Sequence, residues 1–290
     1  MKIAAVDIGS NAIRLFIADC RNGKDNVELE KLAHTRIPLR LGADVFTVGV
    51  ISEETKMALR DVILGFKYLI QSVHVQDVRV CATSAMRTAE NRDEVAQFIL
   101  RQTGIKIEIL SGAQEAELIL GNLSNSEFSN KGNYLFIDVG GGSTELTIIV
   151  NGKKVASQSF EIGTVRMLLF DENRIPKFIE QWLNEHLDRK LSYEVIATGG
   201  NINSAFKILE KKSKSDCKIE ELKDLIVEFE SLTKDERMRK YKIRSDRADV
   251  IVPALRVYTT IMEIAGLERL HAPKFGLADG IVLDYYQKNK

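Results

Sequence analysis

The chain has 290 residues, 44% of them hydrophobic and 28% charged, the composition of an ordinary globular protein with room for two domains. Lysine plus arginine and aspartate plus glutamate both number 41, so overall charge selects no polyanionic partner, and no nucleic acid is expected. No apolar run approaches the roughly 18 residues that span a bilayer. Met1-Lys2 leads straight into a strand-like segment without a signal peptide, and Cys20, Cys81 and Cys217 are odd in number, far apart and free of any metal-binding spacing. Together these features predict no membrane and a reducing, cytoplasmic setting.

The first element is an apolar strand, Ala4-Ala5-Val6, that ends in Asp7 and turns through Gly9, Ser10 and Asn11 into a second strand from Ile13. A third strand-like run covers 27–37. Helical spacing of Val62, Ile63, Phe66, Leu69, Ile70 and Val73 predicts a helix over 52–73 with Ser52 as its cap. A short strand, 78–82, ends in Thr83-Ser84-Ala85-Met86-Arg87-Thr88. Small hydroxyl residues and an arginine just past a strand end lie where α/β sheets bind ligands, and Arg87 can offer phosphate a two-pronged fork. Asn91 with Glu94 predicts a capped helix that Gly104 ends. A strand follows over 105–110, then a helix start at Ser111-Gly112-Ala113-Gln114-Glu115, where acids complement the helix dipole. The polar stretch 124–133 reads as the boundary between two halves.

The second half opens on Ile137-Asp138-Val139-Gly140-Gly141-Gly142-Ser143-Thr144-Glu145-Leu146. Three glycines leave space for a ligand and accept unusual backbone angles cheaply. Their amides, with the Ser143 and Thr144 hydroxyls, can form a nest for an anion. Asp138 and Glu145 would repel such an anion unless a hard cation, Mg²⁺, sat between them. The strand, Asp, small-residue turn and strand repeat what surrounds Asp7, 131 positions earlier, and a third strand-like run again follows, over 154–162. A duplicated domain is the simplest reading, with two Asp-ended turns expected to clamp phosphate across a cleft. Further on, a helix begins near Gly163-Thr164 and another runs through Ile179, Leu183 and Leu187. A strand over 195–197 then ends in Thr198-Gly199-Gly200-Asn201, which opens a helix, a ready phosphate site. Helices are predicted over 244–252 and 253–265, Pro253 suiting a first turn. A strand over 267–272 precedes Phe275-Gly276-Leu277-Ala278-Asp279-Gly280 and a final helix. Basic residues outnumber acids over 207–218 and 234–247, either as solvated faces or as a surface toward a polyanion. Alternating strands and helices make the chain α/β.

Six motifs in this order resemble the exopolyphosphatase / guanosine pentaphosphate phosphatase family. They are Asp7-Ile8-Gly9-Ser10-Asn11, Ala82-Thr83-Ser84-Ala85-Met86-Arg87, Ser111-Gly112-Ala113-Gln114-Glu115-Ala116, the stretch from Asp138 to Glu145, Ala197-Thr198-Gly199-Gly200-Asn201, and Asp246-Arg247-Ala248-Asp249. The resemblance implies a duplicated ribonuclease-H-like fold of the actin-like ATPase superfamily, with domains at 1–123 and 124–274, an interdomain cleft, and the C-terminal helix 275–290 packing back on the first domain. It implies hydrolysis of the terminal phosphoanhydride of polyphosphate, or of the 5′-triphosphate of guanosine pentaphosphate, with Mg²⁺ as cofactor. Glu115 falls at the position of the catalytic base, Asp138 and Glu145 at the acidic pair that would hold the metal, and Arg87 at a phosphate-binding arginine. Phosphate contacts are expected at Gly9, Ser10, Asn11, Ser84, Gly140, Gly141, Gly142, Ser143, Gly199, Gly200 and Asn201. Gln114 departs from the family's paired glutamates. Some relatives carry a C-terminal helical extension of the HD type where this sequence stops at Lys290, from which distributive hydrolysis is expected. A homodimer is a possible partner arrangement. Rival readings are an ATP-dependent kinase of the same superfamily, with 198–201 near adenosine, and a non-catalytic nucleotide-switched assembly protein.

Overall fold

A computed structural model describes residues 1–24, 26–126, 128, 131–170, 177–212 and 215–290. Parts of the boundary stretch 124–133 (127, 129 and 130) and of the basic stretch 207–218 (213 and 214) lie outside the described residues. In chain order the strands are β1 (Lys2–Ile8), β2 (Ile13–Asn22), β3 (Val27–Ile37), β4 (Asp77–Ala82), β5 (Glu108–Ile109), β6 (Tyr134–Val139), β7 (Thr144–Val150), β8 (Lys153–Phe160), β9 (Glu194–Thr198), β10 (Asp216–Lys218) and β11 (Arg269–His271). The helices are α1 (Leu41–Val48), α2 (Glu53–Ser72), α3 (Ser84–Thr88), α4 (Arg92–Thr103), α5 (Gly112–Gly121), α6 (Thr164–Phe170), α7 (Lys177–His186), α8 (Gly200–Ile208), α9 (Ile219–Glu230), α10 (Lys234–Tyr241), α11 (Ser245–Ala248), α12 (Ile251–Ala265) and α13 (Leu277–Lys288). They divide into two units, residues 1–128 with 275–290 and residues 129–274.

The first unit holds one mixed sheet in the order β3-β2-β1-β4-β5, antiparallel between β1, β2 and β3 and parallel from β1 to β4 and β5. β1 is buried along almost its whole length, which is why it reads as an unbroken apolar run. The edge strand β3 keeps most of its side chains at least partly exposed. The C-terminal helix α13 packs on α5 and β1. A Cβ at Gly280 would lie 2.0 Å from the Leu118 carbonyl, so only glycine lets α13 approach α5 this closely. Asp284 and Tyr285 fasten its end to Arg79 (2.8 Å) and Asp77 (2.7 Å). The Asn125 side chain meets both the amide (2.9 Å) and the carbonyl (2.7 Å) of Val27, which ties the 3₁₀ turn Asn122–Asn125 to this unit.

The second unit repeats the pattern as β8-β7-β6-β9-β11, with β10 added at the edge. Asp7 pairs with Arg14 across β1 and β2, and Asp138 with Glu145 across β6 and β7. The turns close alike, Gly9 amide to Ala12 carbonyl at 3.1 Å and Gly140 amide to Ser143 carbonyl at 2.9 Å. Even the register shift toward the third strand recurs 131 positions on, between Ile17 and Ala18 and between Ile148 and Ile149. The core of the second unit gathers Leu135, Ile137, Leu183, Ile202, Phe229 and Tyr258. Trp182 of α7 stacks on His186 at 5.0 Å and meets Phe160 edge-on.

Several local expectations are corrected. The strand over 105–110 shrinks to the two residues of β5, an edge strand paired only with β4. Asn91 does not cap α4 with its side chain. Its amide group brackets the Ile51 backbone instead, at 3.0 and 2.9 Å, while Glu94 accepts from Lys56 at 2.9 Å. Helices α1, α3 and α9 and strand β10 lie outside the elements read from the sequence. Ser52 does cap α2, accepting from the Thr55 amide at 3.2 Å, and Gly104 ends α4 with φ 72°.

Candidate active-site groups in the two units

In the first unit the candidates gather where β1 and β4 end. Asp7, 4% exposed, takes the Arg14 guanidinium at 2.6 Å. The Ser10 carbonyl accepts from the Gly42 amide at the start of α1 (2.8 Å), and its hydroxyl accepts from the Ala85 amide in α3 (3.1 Å). Ser10 therefore welds the turn to two helices and keeps a hydroxyl proton to donate. Asn11 accepts from Arg40 Nε at 2.7 Å. Ser84 is buried in the first position of α3.

Arg87, at the end of α3, sends Nη1 to the Leu110 carbonyl (2.8 Å) and to Glu115 (3.1 Å). Its Nε and Nη2 have no protein acceptor among the described residues. Glu115 is 7% exposed in the first turn of α5. Gln114, the departure from paired glutamates, completes a capping box with Ser111, its side chain accepting from the Ser111 amide at 2.8 Å. Glutamine and glutamate both serve there, because the cap needs only an acceptor oxygen. Glu117 contributes to no such cluster, and it is exposed.

In the second unit three successive turn carbonyls are held from one side by α6. Gly140 accepts from the Thr164 amide (3.1 Å), Gly141 from the Val165 amide (2.7 Å) and Gly142 from Arg166 Nε (2.9 Å). Trans peptides carry C=O and N–H in opposite directions, so the amides of Gly141, Gly142 and Ser143 face away from α6. Gly163 makes this fit possible: a Cβ there would lie 2.4 Å from the Gly142 nitrogen. The Thr144 hydroxyl, expected to join the nest, is corrected. It donates to the Ile162 carbonyl at 2.6 Å and fixes the segment between β8 and α6 instead.

Asp138 and Glu145, 9% and 2% exposed, stand directly opposite on neighbouring strands, so they share one face. Asp138 accepts from the Thr198 hydroxyl, and Glu145 from Ser159 at 2.7 Å. Beneath them the Tyr258 hydroxyl, wholly buried, donates to the Thr198 carbonyl and accepts from the Val139 amide at 3.3 Å. Burial, with both carboxylates nearby, holds its pKa well above that of an ordinary phenol. Gly199, at φ 123°, starts α8, and a Cβ on it would lie 2.9 Å from both the Tyr258 hydroxyl and the Val139 carbonyl. Asn201 is buried in the first turn of α8. Arg247 donates to the Gly200 carbonyl and the Ser204 hydroxyl, bringing a fixed cation to that helix start.

Arg14, Gly163, Arg166 and Tyr258 are the groups that sequence reading missed; Arg14 alone had a signal, its place in the repeat opposite Asp7. The basic stretches are partly engaged within the unit. Lys211 pairs with Glu221, Lys240 with Glu228 and Lys234 with Asp249, while Arg237 donates to the Phe229 and Ala248 carbonyls. The three cysteines are buried and free. Burial pushes Cys20 up to about 11 and Cys81 and Cys217 to about 12, so none is a ready thiolate.

Mg²⁺ fits what is present. Two buried carboxylates on one face supply hard oxygen donors, and among the described residues no group of three or more His, Cys, Asp or Glu forms a metal cage. Mg²⁺ commonly binds through one or two carboxylates and retains waters. Among the described residues no helix is long and apolar enough to cross a membrane.

Two mixed sheets, each built around a three-strand meander with an Asp-ended turn, define an α/β protein of the actin-like ATPase fold. Within that class the chain belongs to the Ppx/GppA phosphatase family, whose model matches residues 16–289. It is similar to a bifunctional 3-dehydroquinate synthase/phosphatase of Fusobacterium nucleatum, 29% identical over 229 residues that cover 72% of this chain and 34% of the relative. It is also similar to exopolyphosphatase 2 of Mycobacterium tuberculosis, 33% identical over 171 residues covering 57% and 53%. The chain thus spans about a third and about half of these two relatives. Among solved structures, an exopolyphosphatase from Cytophaga hutchinsonii has a TM-score of 0.84 at 22% identity, covering 99% of this chain and 98% of the other. An exopolyphosphatase-like protein has a TM-score of 0.83 at 27% identity with the same coverage.

Proposed function

We propose that this chain is a phosphoanhydride hydrolase that releases terminal phosphate from inorganic polyphosphate, from the 5′-triphosphate end of guanosine pentaphosphate, or from both. The observation that carries the reading is the division of labour at Arg87. One arm of the guanidinium holds Glu115 and the Leu110 carbonyl, and the other two nitrogens are left for an incoming anion. A carboxylate and a phosphate fork are thereby fixed a few ångströms apart, which is what hydrolysis of a phosphoryl group requires. The family and the exopolyphosphatases among its relatives support the choice of substrate.

In this mechanism Glu115 orients a water and accepts its proton as the oxygen attacks phosphorus. Arg87 Nε and Nη2 neutralise charge that grows on the phosphoryl oxygens. In the second unit the amides of Gly141, Gly142 and Ser143 and the Gly199–Asn201 helix start offer hydrogen bonds to phosphate oxygens, and in the first the Gly9–Asn11 turn and the Ser84 region do the same. Asp138 and Glu145 would hold Mg²⁺, and Thr198 and Ser159 orient the two carboxylates through hydrogen bonds. When bound, Mg²⁺ supplies positive charge that lets carboxylates and phosphate share one place.

Purified protein incubated with long polyphosphate, short polyphosphate and guanosine pentaphosphate, with free phosphate measured, tests the reading. Phosphate release without any acceptor, from at least one of the three and lost in Glu115→Gln, is the expected result. No release from any of them, or near wild-type turnover by Glu115→Gln, overturns it.

A further inference from the structure

We infer that Tyr258 is a positioning residue: its buried hydroxyl joins the ends of β6 and β9 and, acting through Thr198, sets the orientation in which Asp138 presents its carboxylate. The inference deepens the proposed hydrolase and rests on reading Asp138 as one of its working groups.

The two sheets differ at the point where their parallel strands part. Bonded and non-bonded pairs alternate along an antiparallel hairpin. Gly140 and Ser143 are bonded at 2.9 Å, so Val139, opposite Thr144, turns its amide away from β7 and toward β9. In the first unit the strands go on pairing at this level. Ile8 lies opposite Ala82, and the Thr83 amide donates to the Ile8 carbonyl at 3.1 Å. In the second unit β6 and β9 stop one step earlier, at Asp138 opposite Thr198, and Gly199 leaves the sheet at φ 123° to open α8. The Tyr258 hydroxyl stands in that opening. It accepts from the Val139 amide at 3.3 Å and donates to the Thr198 carbonyl, so a side chain from α12 does there what backbone does in the first unit.

Tyr258 is wholly buried, and a Cβ at Gly199 would lie 2.9 Å from its hydroxyl, so the glycine is what leaves room for the bridge. Burial and the nearby carboxylates keep the phenol protonated, and only a neutral phenol can donate to a carbonyl. Thr198 then has its carbonyl committed to Tyr258 and its hydroxyl to Asp138. Rotation of the Thr198 backbone would swing that hydroxyl off the carboxylate, so holding the carbonyl holds the aim of the hydroxyl. Thr198 is one support of Asp138 among others, which makes the effect several-fold rather than total.

Tyr258→Phe, Thr198→Val and the two together test this on the intact chain, by crystallography, by Mn²⁺ titration with electron paramagnetic resonance and by denaturant melts. Tyr258→Phe keeps the ring and removes only the oxygen. Its crystal structure, with no ligand needed, should show the Thr198 hydroxyl turned off the Asp138 carboxylate. Mn²⁺ affinity should fall about tenfold in Thr198→Val, as loss of an outer support commonly does, and several-fold in Tyr258→Phe. The double variant should bind Mn²⁺ no more weakly than Thr198→Val alone, because both substitutions act through one hydroxyl. The Mg²⁺ concentration for half-maximal phosphate release should follow the same order. Thr198 still on Asp138 in the Tyr258→Phe crystal, wild-type Mn²⁺ affinity despite an earlier melt, or failure of Tyr258→Phe to fold would each make Tyr258 a staple of the fold only and overturn the inference. Losses that multiply in the double variant overturn it too, since Tyr258 would then act independently of Thr198. A wild-type chain that releases no phosphate from any of the three substrates overturns the proposed function, and one that binds no Mn²⁺ overturns its metal site. In either case the crystal comparison decides the inference by itself.

Discussion

The hairpin at Asp7 and the hairpin at Asp138 share a backbone almost feature for feature and differ in what they carry. Strand register, the hydrogen bond that closes the turn, the bulge toward the third strand and a helix amide on the second turn carbonyl all recur. The side chains diverge, Arg14 facing Asp7 where Glu145 faces Asp138. A backbone fixed by ladder hydrogen bonds and buried apolar residues tolerates reversal of charge at positions on its ligand face, because those positions bury little apolar surface. Scaffold and chemistry are thus separable, and the separation shows which substitutions should remove activity and which should remove structure.

The largest expected effect falls on the first unit. Glu115→Gln should lower kcat by about 10²–10⁴-fold with KM little changed, because a lost base acts on the transition state. Glu145→Gln should not match it at saturating Mg²⁺. Steady-state phosphate release across a Mg²⁺ series separates the two, and equal inactivity throughout would break the division between base and metal holder.

Next comes the packing that the second hairpin alone requires. Gly163→Ala forces a Cβ into the backbone of Gly141 and Gly142 and should cost about 1–3 kcal/mol of stability. Gly65→Ala, exposed within α2 with open space around it, should gain roughly 0.5–1 kcal/mol. Denaturant melts of both variants check the pair, and a neutral Gly163→Ala would mean that the turn is not held by α6 as described.

The metal comes third. Asp138→Asn and Glu145→Gln should each raise the Mg²⁺ concentration for half-maximal activity about tenfold, as loss of a ligand or its support commonly does. An unchanged Mg²⁺ curve in both would make the pair structural.

The smallest effect concerns pH. Hydrogen bonding to Arg79 holds Glu108 below its ordinary value near 4.5. A depressed carboxyl contributes stability above its unfolded pKa and loses it as pH falls through the folded one. Thermal melts between pH 7 and about 3 should therefore fall more steeply for wild type than for Glu108→Gln, and parallel slopes would show the pair to be idle.

Much of this architecture could be read before any coordinates. The two meanders announced themselves by apolar runs ending in aspartate, and Ser52, Gly104 and Pro253 marked helix ends because caps are local chemistry. Helix α1 escaped because eight residues after Pro38 carry too little periodicity, and β10 because three residues carry none. Asn91 misled because a residue suited to a cap found a better partner in Ile51, forty positions away. Gly163 and Tyr258 could not be found locally, since what they touch lies across the fold. Glu115 stood out only through resemblance. Its immediate neighbours make it an ordinary first-turn acid, and its meaning comes from Arg87, 28 residues earlier.

Trp182, the one tryptophan of the chain, sits in α7 against Phe160 and His186. Red-edge fluorescence is therefore blind to the first unit and reports on the second alone, whereas far-ultraviolet dichroism averages over both. Comparing the two signals during chemical unfolding would show whether the halves melt as one cooperative body or in succession. The molecule therefore carries its own dye, placed in only one copy of the duplication.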